Sequence, residues 1–357
     1  MAKRILVLLM TLALVLSFAG CSSAESQQSS TDTEVIIKQE SIIQGGESSM
    51  TSSDNQSTND TTSTPSVDVT VSSEEQPSSN PSSSSSEVSS AVSTPSQVED
   101  DTIDINYEWK SHPEDYKLIA FTFDDGPSSR MQDYVNLFAA FEGAGTFFVN
   151  GRNFKSSYEY GLAQNAIDYG WDIGNHGENH LVATIGGEGG KEATYEELKK
   201  DIMDLTNKLH SNLKNRDGTP YEVTSYRAPN IKPTANTFKL CDELKYPVIW
   251  LEYDALDWDT TKTDKNREDV FKYGVGKWED GDVILCHEVQ QYADQTYEYI
   301  ERYLPEFFRK GYRFCSVSEL MELRGITREQ ICGELNNVDG NRGMVRNIVK
   351  AAQQGKK

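Results

Sequence analysis

The stretch Leu118-Ile119-Ala120-Phe121-Thr122-Phe123-Asp124-Asp125-Gly126-Pro127 is an apolar run that stops abruptly at two carboxylates and two turn residues. Such a run, bounded by a turn signal, predicts a β-strand. In parallel α/β folds, chemistry gathers at the carboxyl ends of the strands. The stretch therefore predicts a strand with a functional site at its end, although Asp, Gly and Pro could also form only a turn.

The alternation of apolar runs and helical patterns continues along the chain. Helical spacing is present at residues 131–141, 158–169 and 194–213, and strand-like runs lie at 144–149, 171–174, 247–252, 283–286 and 313–317. Strands alternating with helices are typical of βαβ units. The pattern predicts an α/β fold, and by itself it fits a barrel-like sheet or a doubly wound sheet.

Three histidines lie at or just after predicted strand ends, namely His176, His180 and His287. His176 and His180 are four residues apart, so on a helical turn both would face one side and could hold one cation. The pair alone is weak support for a metal site. Asp125 strengthens the hypothesis, because it is another candidate ligand at a strand end and Asp124 lies beside it.

Five short motifs follow one another along the domain. They are TFDDGP at 122–127, HGENH at 176–180, RAP at 227–229, DALDW at 254–258 and LCH at 285–287. In this order they resemble the motifs of the polysaccharide deacetylases, the NodB-homology family within the fourth family of carbohydrate esterases. The resemblance implies a distorted, incomplete (β/α) barrel for a catalytic domain at residues 105–325.

The implied activity is metal-dependent hydrolysis of N-acetyl or O-acetyl groups from a cell-wall or plant-type polysaccharide. The expected substrate is peptidoglycan, a chitin-like oligomer or acetylated xylan, and the sequence does not distinguish among the three. The resemblance implies that Asp125, His176 and His180 hold a divalent ion, zinc in the first place, with cobalt or another divalent ion as alternatives. Three protein ligands with one open position are typical of catalytic zinc sites.

The resemblance also implies roles for the other motif residues. Asp124 would be the general base, oriented by Arg227, and His287 the general acid, its imidazolium favoured by Asp257. The implied substrate contacts are Trp258 as a wall of the sugar groove, Leu285 as lining of the acetyl pocket, and the backbone N–H of Asn230 as donor to the oxyanion.

Two positions depart from the family's pattern. Gly177 stands where Ser or Thr is usual, which brings the rigidity of the metal loop into question. Asn230 stands where an aromatic residue is usual, which predicts a more open groove or a different sugar preference.

Each motif residue has an ordinary structural explanation as well. Arg227 could be a surface charge, Trp258 a core residue and His287 a buried histidine with satisfied hydrogen bonds. The alternative function is a non-catalytic glycan-binding surface lipoprotein on the same fold. Such a protein is expected to have lost Asp124, Asp125 or His287, and all three are present, so the hydrolase is favoured.

Residues 22–104 differ in composition from the rest, with fifteen acidic residues, one basic residue and no aromatic, Cys or His. Such a segment cannot bury enough apolar surface to offset its ordering entropy, so we expect a disordered linker. It supplies −14 of the net charge of −22. The acidic balance and the absence of a basic run argue against nucleic acid as a partner.

Residues 1–21 are typical of an export signal. Lys3 and Arg4 precede an apolar run at 5–16 that is shorter than the ~20 residues of a spanning helix, and Ala19-Gly20-Cys21 resembles a bacterial lipobox. We expect lipidation of Cys21 and an extracytoplasmic domain anchored to the membrane, or a secreted one if Cys21 is not lipidated.

Residues 326–357 are predicted to be a helical C-terminal appendix, because Thr327 and Gln330 have capping-box spacing. The remaining cysteines could pair, since the chain is predicted to be exported, or be buried thiols; they are Cys241, Cys286, Cys315 and Cys332.

Overall fold

The computed structural model describes residues 103–336 and 345–355. The predicted signal sequence with Cys21, and the predicted linker up to residue 102, lie outside the described residues. Within the described ranges, no helix has the length and apolar character needed to cross a membrane.

In the part of the chain that the structure describes, six parallel strands form one sheet. They are β1 (Lys117–Gly126), β2 (Thr146–Val149), β3 (Asp172–Asn175), β4 (Tyr253–Asp254), β5 (Asp282–His287) and β6 (Tyr312–Phe314). The order is β3-β2-β1-β5-β4, and β6 pairs with the first residues of β1. β1 is central, and its buried side chains include a ring cluster in which Phe123 contacts Tyr134, Phe147 and Trp171.

Two isolated bridges carry the sheet beyond β3. Asn175 pairs with Tyr226, and Tyr226 pairs with Val248. The segment that holds Val248 continues into β4, which pairs with β5 on the far side of the sheet. The strands therefore nearly close on themselves, and the result is a distorted, incomplete barrel.

Nine helices accompany the strands in the described residues. They are α1 (Arg130–Ala139), α2 (Ser157–Asp168), α3 (Tyr195–Asn212), α4 (Ala235–Leu244), α5 (Asp264–Gly274), α6 (Ala293–Arg309), α7 (Val317–Arg324), α8 (Arg328–Leu335) and α9 (Val345–Gly355). Side chains fix several of their starts: Ser156 and Thr194 each form a capping box with a glutamate three residues later. Such boxes satisfy N–H groups that a helix start leaves unpaired.

Two predicted strands are wrong in extent. Residues 247–252 form only the bridge at Val248, and the strand proper is β4. The physical reason is that the Arg227 guanidinium donates to the carbonyls of Ile249 and Trp250, at 3.3 and 3.2 Å, in place of a neighbouring strand. The strand expected at 313–317 ends at Phe314, because Ser316 caps α7.

The C-terminal helices are part of the core. The predicted capping box of Thr327 and Gln330 starts α8. Val345 and Val349 of α9 are buried in the same hydrophobic cluster as the sheet. The four cysteines of the described residues, Cys241, Cys286, Cys315 and Cys332, are free and buried.

Candidate active site

Two strand ends bring the candidate metal ligands together. Asp125 lies near the end of β1, and His176 follows the last residue of β3. The carboxylate oxygen Oδ1 of Asp125 is 3.6 Å from Nε2 of His176 and 3.4 Å from Nε2 of His180. One ligand atom from each of the three residues lies within 4.8 Å of the others.

The two histidines reach the cluster from a loop, so the helical turn suggested by their spacing is wrong. Gly177 and His180 have positive φ angles of 82° and 56°, which breaks any helical repeat. The loop is held from both sides: the Gly177 N–H donates to the Asn175 side chain, and the Asn179 N–H donates to Asp201. Side-chain acceptors thus fix a backbone that is not helical.

The protonation pattern leaves lone pairs on the ligand atoms. His176 Nδ1 lies 2.8 Å from the Arg227 carbonyl oxygen. Because a carbonyl only accepts, Nδ1 carries the proton and Nε2 is free to bind a cation. Burial and the neighbouring His176 lower the pKa of His180, which favours a neutral imidazole there as well.

The Asp125 carboxylate is kept ionised. Burial opposes its charge, but the positive charge that His176, His287 and His180 carry when protonated, together with a hydrogen bond from Gln290, lowers its pKa below the usual value. Two ligands about 2.1 Å from one tetrahedral ion lie about 3.4 Å apart, close to the measured separations. The three residues therefore fit a divalent ion.

Asp124 lies beside the cluster and is held by a buried arginine. Arg227 Nη1 donates to Asp124 Oδ1 at 2.8 Å and to Thr122 Oγ1 at 2.7 Å. The guanidinium is fully buried and lies 4.3 Å from the centre of the Phe148 ring. The other oxygen of Asp124, Oδ2, lies 3.7 Å from His176 Nε2 and faces the cluster.

His287 ends β5 on the neighbouring side of β1, where it pairs with Asp124 in the sheet register. Its Nδ1 donates to Asp257 Oδ1 at 2.6 Å, and its backbone N–H donates to Asp257 Oδ2 at 2.8 Å. Burial alone would lower the pKa of His287. The hydrogen bond and charge of Asp257, with the charges of Asp124 and Asp125, raise the pKa to about 9.

The predicted substrate-contacting residues differ in exposure. Trp258 is half exposed, and its Nε1 donates to Asp254 Oδ2 at 2.9 Å. Leu285 is buried on β5, two residues before His287, and so points to the same face of the sheet. Asn230 is exposed and has a φ of 54°.

A family model described as polysaccharide deacetylase matches residues 111–249. A peptidoglycan-N-acetylglucosamine deacetylase of Bacillus cereus is 30% identical over 215 residues, which cover 59% of this chain and 92% of that protein. The chain belongs to the polysaccharide deacetylase family.

Two further comparisons place the deacetylase among relatives. A bifunctional xylanase/deacetylase of Pseudobutyrivibrio xylanivorans is 27% identical over 219 residues, which cover 60% of this chain and 32% of that protein. The Xyl-CE4 domain of a multidomain xylanase from the hindgut metagenome of Trinervitermes trinervoides has the same fold, with a TM-score of 0.50 and 24% identity over 60% of this chain and 94% of that one. The expected family, fold class and enzyme class are confirmed.

The structure gives a reason for Gly177, where the deacetylase departs from its family's pattern. A Cβ at this position would lie 2.2 Å from Asp201 Oδ2, and the φ of 82° favours glycine. Asp201 also accepts hydrogen bonds from the N–H and the side chain of Asn179. Because Gly177 has no side chain, the Asp201 carboxylate of α3 can approach the loop and accept hydrogen bonds from it.

Several residues around Asp125 were not predicted. Asn150 Nδ2 donates to Asp125 Oδ1 at 2.9 Å, and Gln290 Nε2 donates to Asp125 Oδ2 at 2.8 Å. Asn153 donates to the Asp125 carbonyl oxygen at 2.7 Å. Asn150 and Asn153 follow the end of β2, a polar signal at a strand end that could have found them, whereas nothing in the motif pattern marks Gln290.

Glu288 also lies close to the first motif. Its Oε2 accepts from the N–H and the hydroxyl of Ser128, both at 3.0 Å, and burial raises its pKa to about 8. A Cβ on Gly126 would lie 1.7 Å from Glu288 Oε1. The glycine of the first motif is therefore needed to admit this carboxyl group beside Asp125.

Proposed function

We propose that this deacetylase hydrolyses N-acetyl or O-acetyl groups of a polysaccharide with a divalent ion held by Asp125, His176 and His180. Zinc is the expected ion, with cobalt as an alternative. The observation that carries the proposal is the convergence of these three ligand atoms within 4.8 Å, next to an arginine-bound aspartate. A divalent ion there would polarise the acetyl carbonyl and acidify the attacking water.

Asp124 is the proposed general base. Arg227 occupies Oδ1 at 2.8 Å, so Oδ2 is the atom left to take the proton of the attacking water. The fixed hydrogen bond keeps that oxygen directed at the cluster. Positioning of this kind supplies much of the rate gain in hydrolytic sites, since a shift of about 1 Å can cost about a hundredfold.

His287 is the proposed general acid. Asp257 binds Nδ1 at 2.6 Å, so Nε2 is the nitrogen that can donate to the leaving amine or hydroxyl. With a pKa of about 9, the imidazole is protonated at neutral pH and can give its proton when the C–N or C–O bond breaks. Asp257 stabilises the imidazolium and fixes the ring orientation.

The groove residues complete the proposal. The exposed ring of Trp258 offers a flat wall for a sugar, and its hydrogen bond to Asp254 keeps the ring in place. Leu285 supplies an apolar surface for the acetyl methyl group. The backbone N–H of Asn230 is the proposed donor to the carbonyl oxygen as negative charge develops on it.

We propose an extracytoplasmic polysaccharide as the substrate, with peptidoglycan, chitin-like oligomers and acetylated xylan as the candidates. The names of the relatives support this range, since one is a peptidoglycan-N-acetylglucosamine deacetylase and another a bifunctional xylanase/deacetylase. We also propose that a lipid on Cys21 anchors the domain at the membrane. Detergent partitioning of the full chain, lost in Cys21→Ser, tests the anchor.

Acetate release from the three polymers, before and after chelation, tests the proposed function. Chelation should abolish release, and zinc or cobalt should restore it. His180→Ala should resemble the chelated enzyme, whereas His210→Ala, at an exposed position on α3, serves as the control. Unchanged turnover in His180→Ala, or full activity after chelation, would contradict the metal assignment.

A further inference from the structure

A groove of about 350 Å³ opens directly from Asp125. Its lining includes Gln290, Asn153, Arg152 and Lys155. Sites for small ligands usually measure about 300–1,000 Å³, so the groove has room for one sugar unit. It adjoins the residues of the proposed reaction and is therefore placed to hold a sugar next to the one that loses its acetyl group.

Arg152 is held at a fixed place beside the metal cluster. The turn Gly151–Asn153 is bonded to the histidine loop, because the N–H groups of Gly151 and Arg152 donate to the carbonyls of Gly177 and Glu178, at 3.1 and 2.7 Å. The Asn153 side chain ties the same turn to the Asp125 carbonyl. The turn is thus hydrogen-bonded to both segments that carry the candidate metal ligands. These bonds fix the position of the Arg152 backbone.

Arg152 and Lys155 bring two positive charges to the groove. Among the described residues, neither side chain lies within ion-pair distance of a carboxylate, and both are exposed. Lys208, which reaches the same turn, is paired with Glu178. Arg152 Nη1 makes one long contact of 3.4 Å to the Asn179 carbonyl.

The groove lining also includes a carboxylate that is engaged at a helix start. Glu159 also lines it, but Glu159 Oε2 accepts from the N–H and the hydroxyl of Ser156, both at 2.7 Å, as part of the cap of α2. Its hydrogen-bonding capacity is directed at the helix start, where a negative charge is favourable. The guanidinium and the ammonium group therefore remain available to an anion brought by the substrate.

We infer that Arg152 and Lys155 form a subsite for a carboxylate carried by the sugar adjoining the deacetylated unit. The inference rests on the proposed function and narrows its substrate to an anionic glycan. Two polymers present this chemistry: peptidoglycan strands freed of their stem peptides, which leaves the lactyl carboxylate of muramic acid ionised, and xylan with a uronic acid branch. A guanidinium is well suited to such a group, because it binds carboxylates with two parallel hydrogen bonds.

The test compares Arg152→Gln, Lys155→Gln and the double variant with the wild type on matched substrates. These are a neutral chitin tetramer, peptidoglycan strands freed of stem peptides, the same strands with their carboxylates amidated, and acetylated glucuronoxylan. Arg309→Gln is the control, since Arg309 is an exposed arginine at the end of α6, on the opposite edge of the sheet.

In Arg152→Gln, the KM on a carboxylated substrate should rise about five- to twentyfold relative to the KM on the neutral tetramer, a size between exposed ion pairs and charged hydrogen bonds. The effect should shrink at high salt. A selective loss on the peptidoglycan strands or on the xylan supports the subsite and identifies its source. Equal changes on carboxylated and neutral substrates would overturn it.

A binding measurement separates this inference from the proposed function. Calorimetric titration of carboxylated and amidated strands into the wild type and Arg152→Gln requires no turnover. A preference for the carboxylated strands that disappears in Arg152→Gln supports the subsite even if no acetate is released, a result that would count only against the proposed hydrolysis. Equal affinities of the wild type for both strands would overturn the subsite.

Discussion

The carboxyl ends of the strands form one edge of the sheet, the carboxyl edge, and their amino ends form the opposite one, the amino edge. An arginine contacts buried carboxyl groups at each edge, with different consequences. At the carboxyl edge, Arg227 binds Asp124 next to an open cluster of ligands. At the amino edge, Arg346 of α9 forms ion pairs with Glu279 and Asp282, and its N–H donates to Glu252. The carboxyl edge is open to a groove, whereas α9 covers the amino edge.

The carboxyl groups that contact Arg346 and the candidate ligand Asp125 also differ in their electrostatics. At the amino edge, burial is the largest influence, and it raises the pKa of Glu252 to about 7 and that of Asp282 to about 6. At the carboxyl edge, imidazoles and the Gln290 amide overcome burial and lower the pKa of Asp125. Similar groups thus form a closed packing contact at one edge and part of a candidate cation site at the other.

The comparison predicts its largest effect at Arg227. Arg227→Met leaves Asp124 buried without its partner, a change that typically costs about 3–5 kcal/mol. Loss of the hydrogen bond at 2.8 Å also frees the proposed base, so kcat should fall about a hundredfold or more. Chemical denaturation and acetate release measure the two effects, and a folded variant with near-normal kcat would contradict the role of Arg227.

Arg346→Met should instead lower the stability by about 2–3 kcal/mol and leave kcat per folded molecule unchanged. The loss should be larger at pH 8 than at pH 5. Carboxyl groups whose folded pKa is raised stabilise the fold while protonated, and that contribution is lost as pH rises through about 6 and 7. Without the guanidinium, those pKa values rise further, so ionisation at pH 8 costs more.

Denaturant titrations at both pH values measure this difference. Lys350→Met is the matched control, because Lys350 is exposed on the same helix and pairs with Glu279 alone among the described carboxylates. Equal losses at pH 5 and pH 8, or a fall in kcat of the folded Arg346→Met protein, would remove the distinction between the two edges.

The carboxyl edge was largely predictable from sequence, because its residues lie in short motifs at strand ends. β1 with Asp124 and Asp125, and β5 with His287, could be located from one apolar run each. The contacts of α9 could not, since the link between Arg346 and Glu252 spans 94 residues. A helical pattern predicts a helix and does not specify the surface against which it packs.

The two wrong predictions, a strand at residues 247–252 and a helical turn at His176 and His180, have the same origin. Residues 247–252 have a strand-like composition, but the carbonyls of Ile249 and Trp250 accept from Arg227, which lies more than twenty residues earlier. The spacing of His176 and His180 fits a helix, yet Asp201 and Asn175 hold that loop in another conformation. In both places, a long-range side-chain contact overrides the local pattern.

Gln290 provides a smaller test of the carboxyl edge. Gln290→Leu removes the hydrogen bond of 2.8 Å to Asp125 Oδ2, and loss of such a supporting bond typically weakens metal affinity about 10–100-fold. Competition with a chromophoric chelator measures zinc affinity without turnover. Gln291→Leu is the control, since the one hydrogen bond that its side chain donates within the described residues is a long one to Tyr292. Equal zinc affinities in the two variants would mean that Asp125 needs no support from Gln290.

The smallest effect is expected at Asn230. Its φ of 54° lies in the left-handed region, which asparagine tolerates and glycine adopts freely. Asn230→Gly therefore keeps the backbone conformation, and with it the N–H proposed to bind the oxyanion.

A proline at position 230 could not adopt this φ, so it would disturb the loop and test nothing about the donor. Removing one oxyanion donor typically costs about 10²–10³ in kcat, whereas Asn230→Gly should change kcat on a small acetyl ester by less than about twofold, while preference among polymers shifts. A tenfold or greater loss on the small ester would contradict a backbone donor that is independent of the side chain, and this exposed residue would then join the proposed catalytic groups of the carboxyl edge.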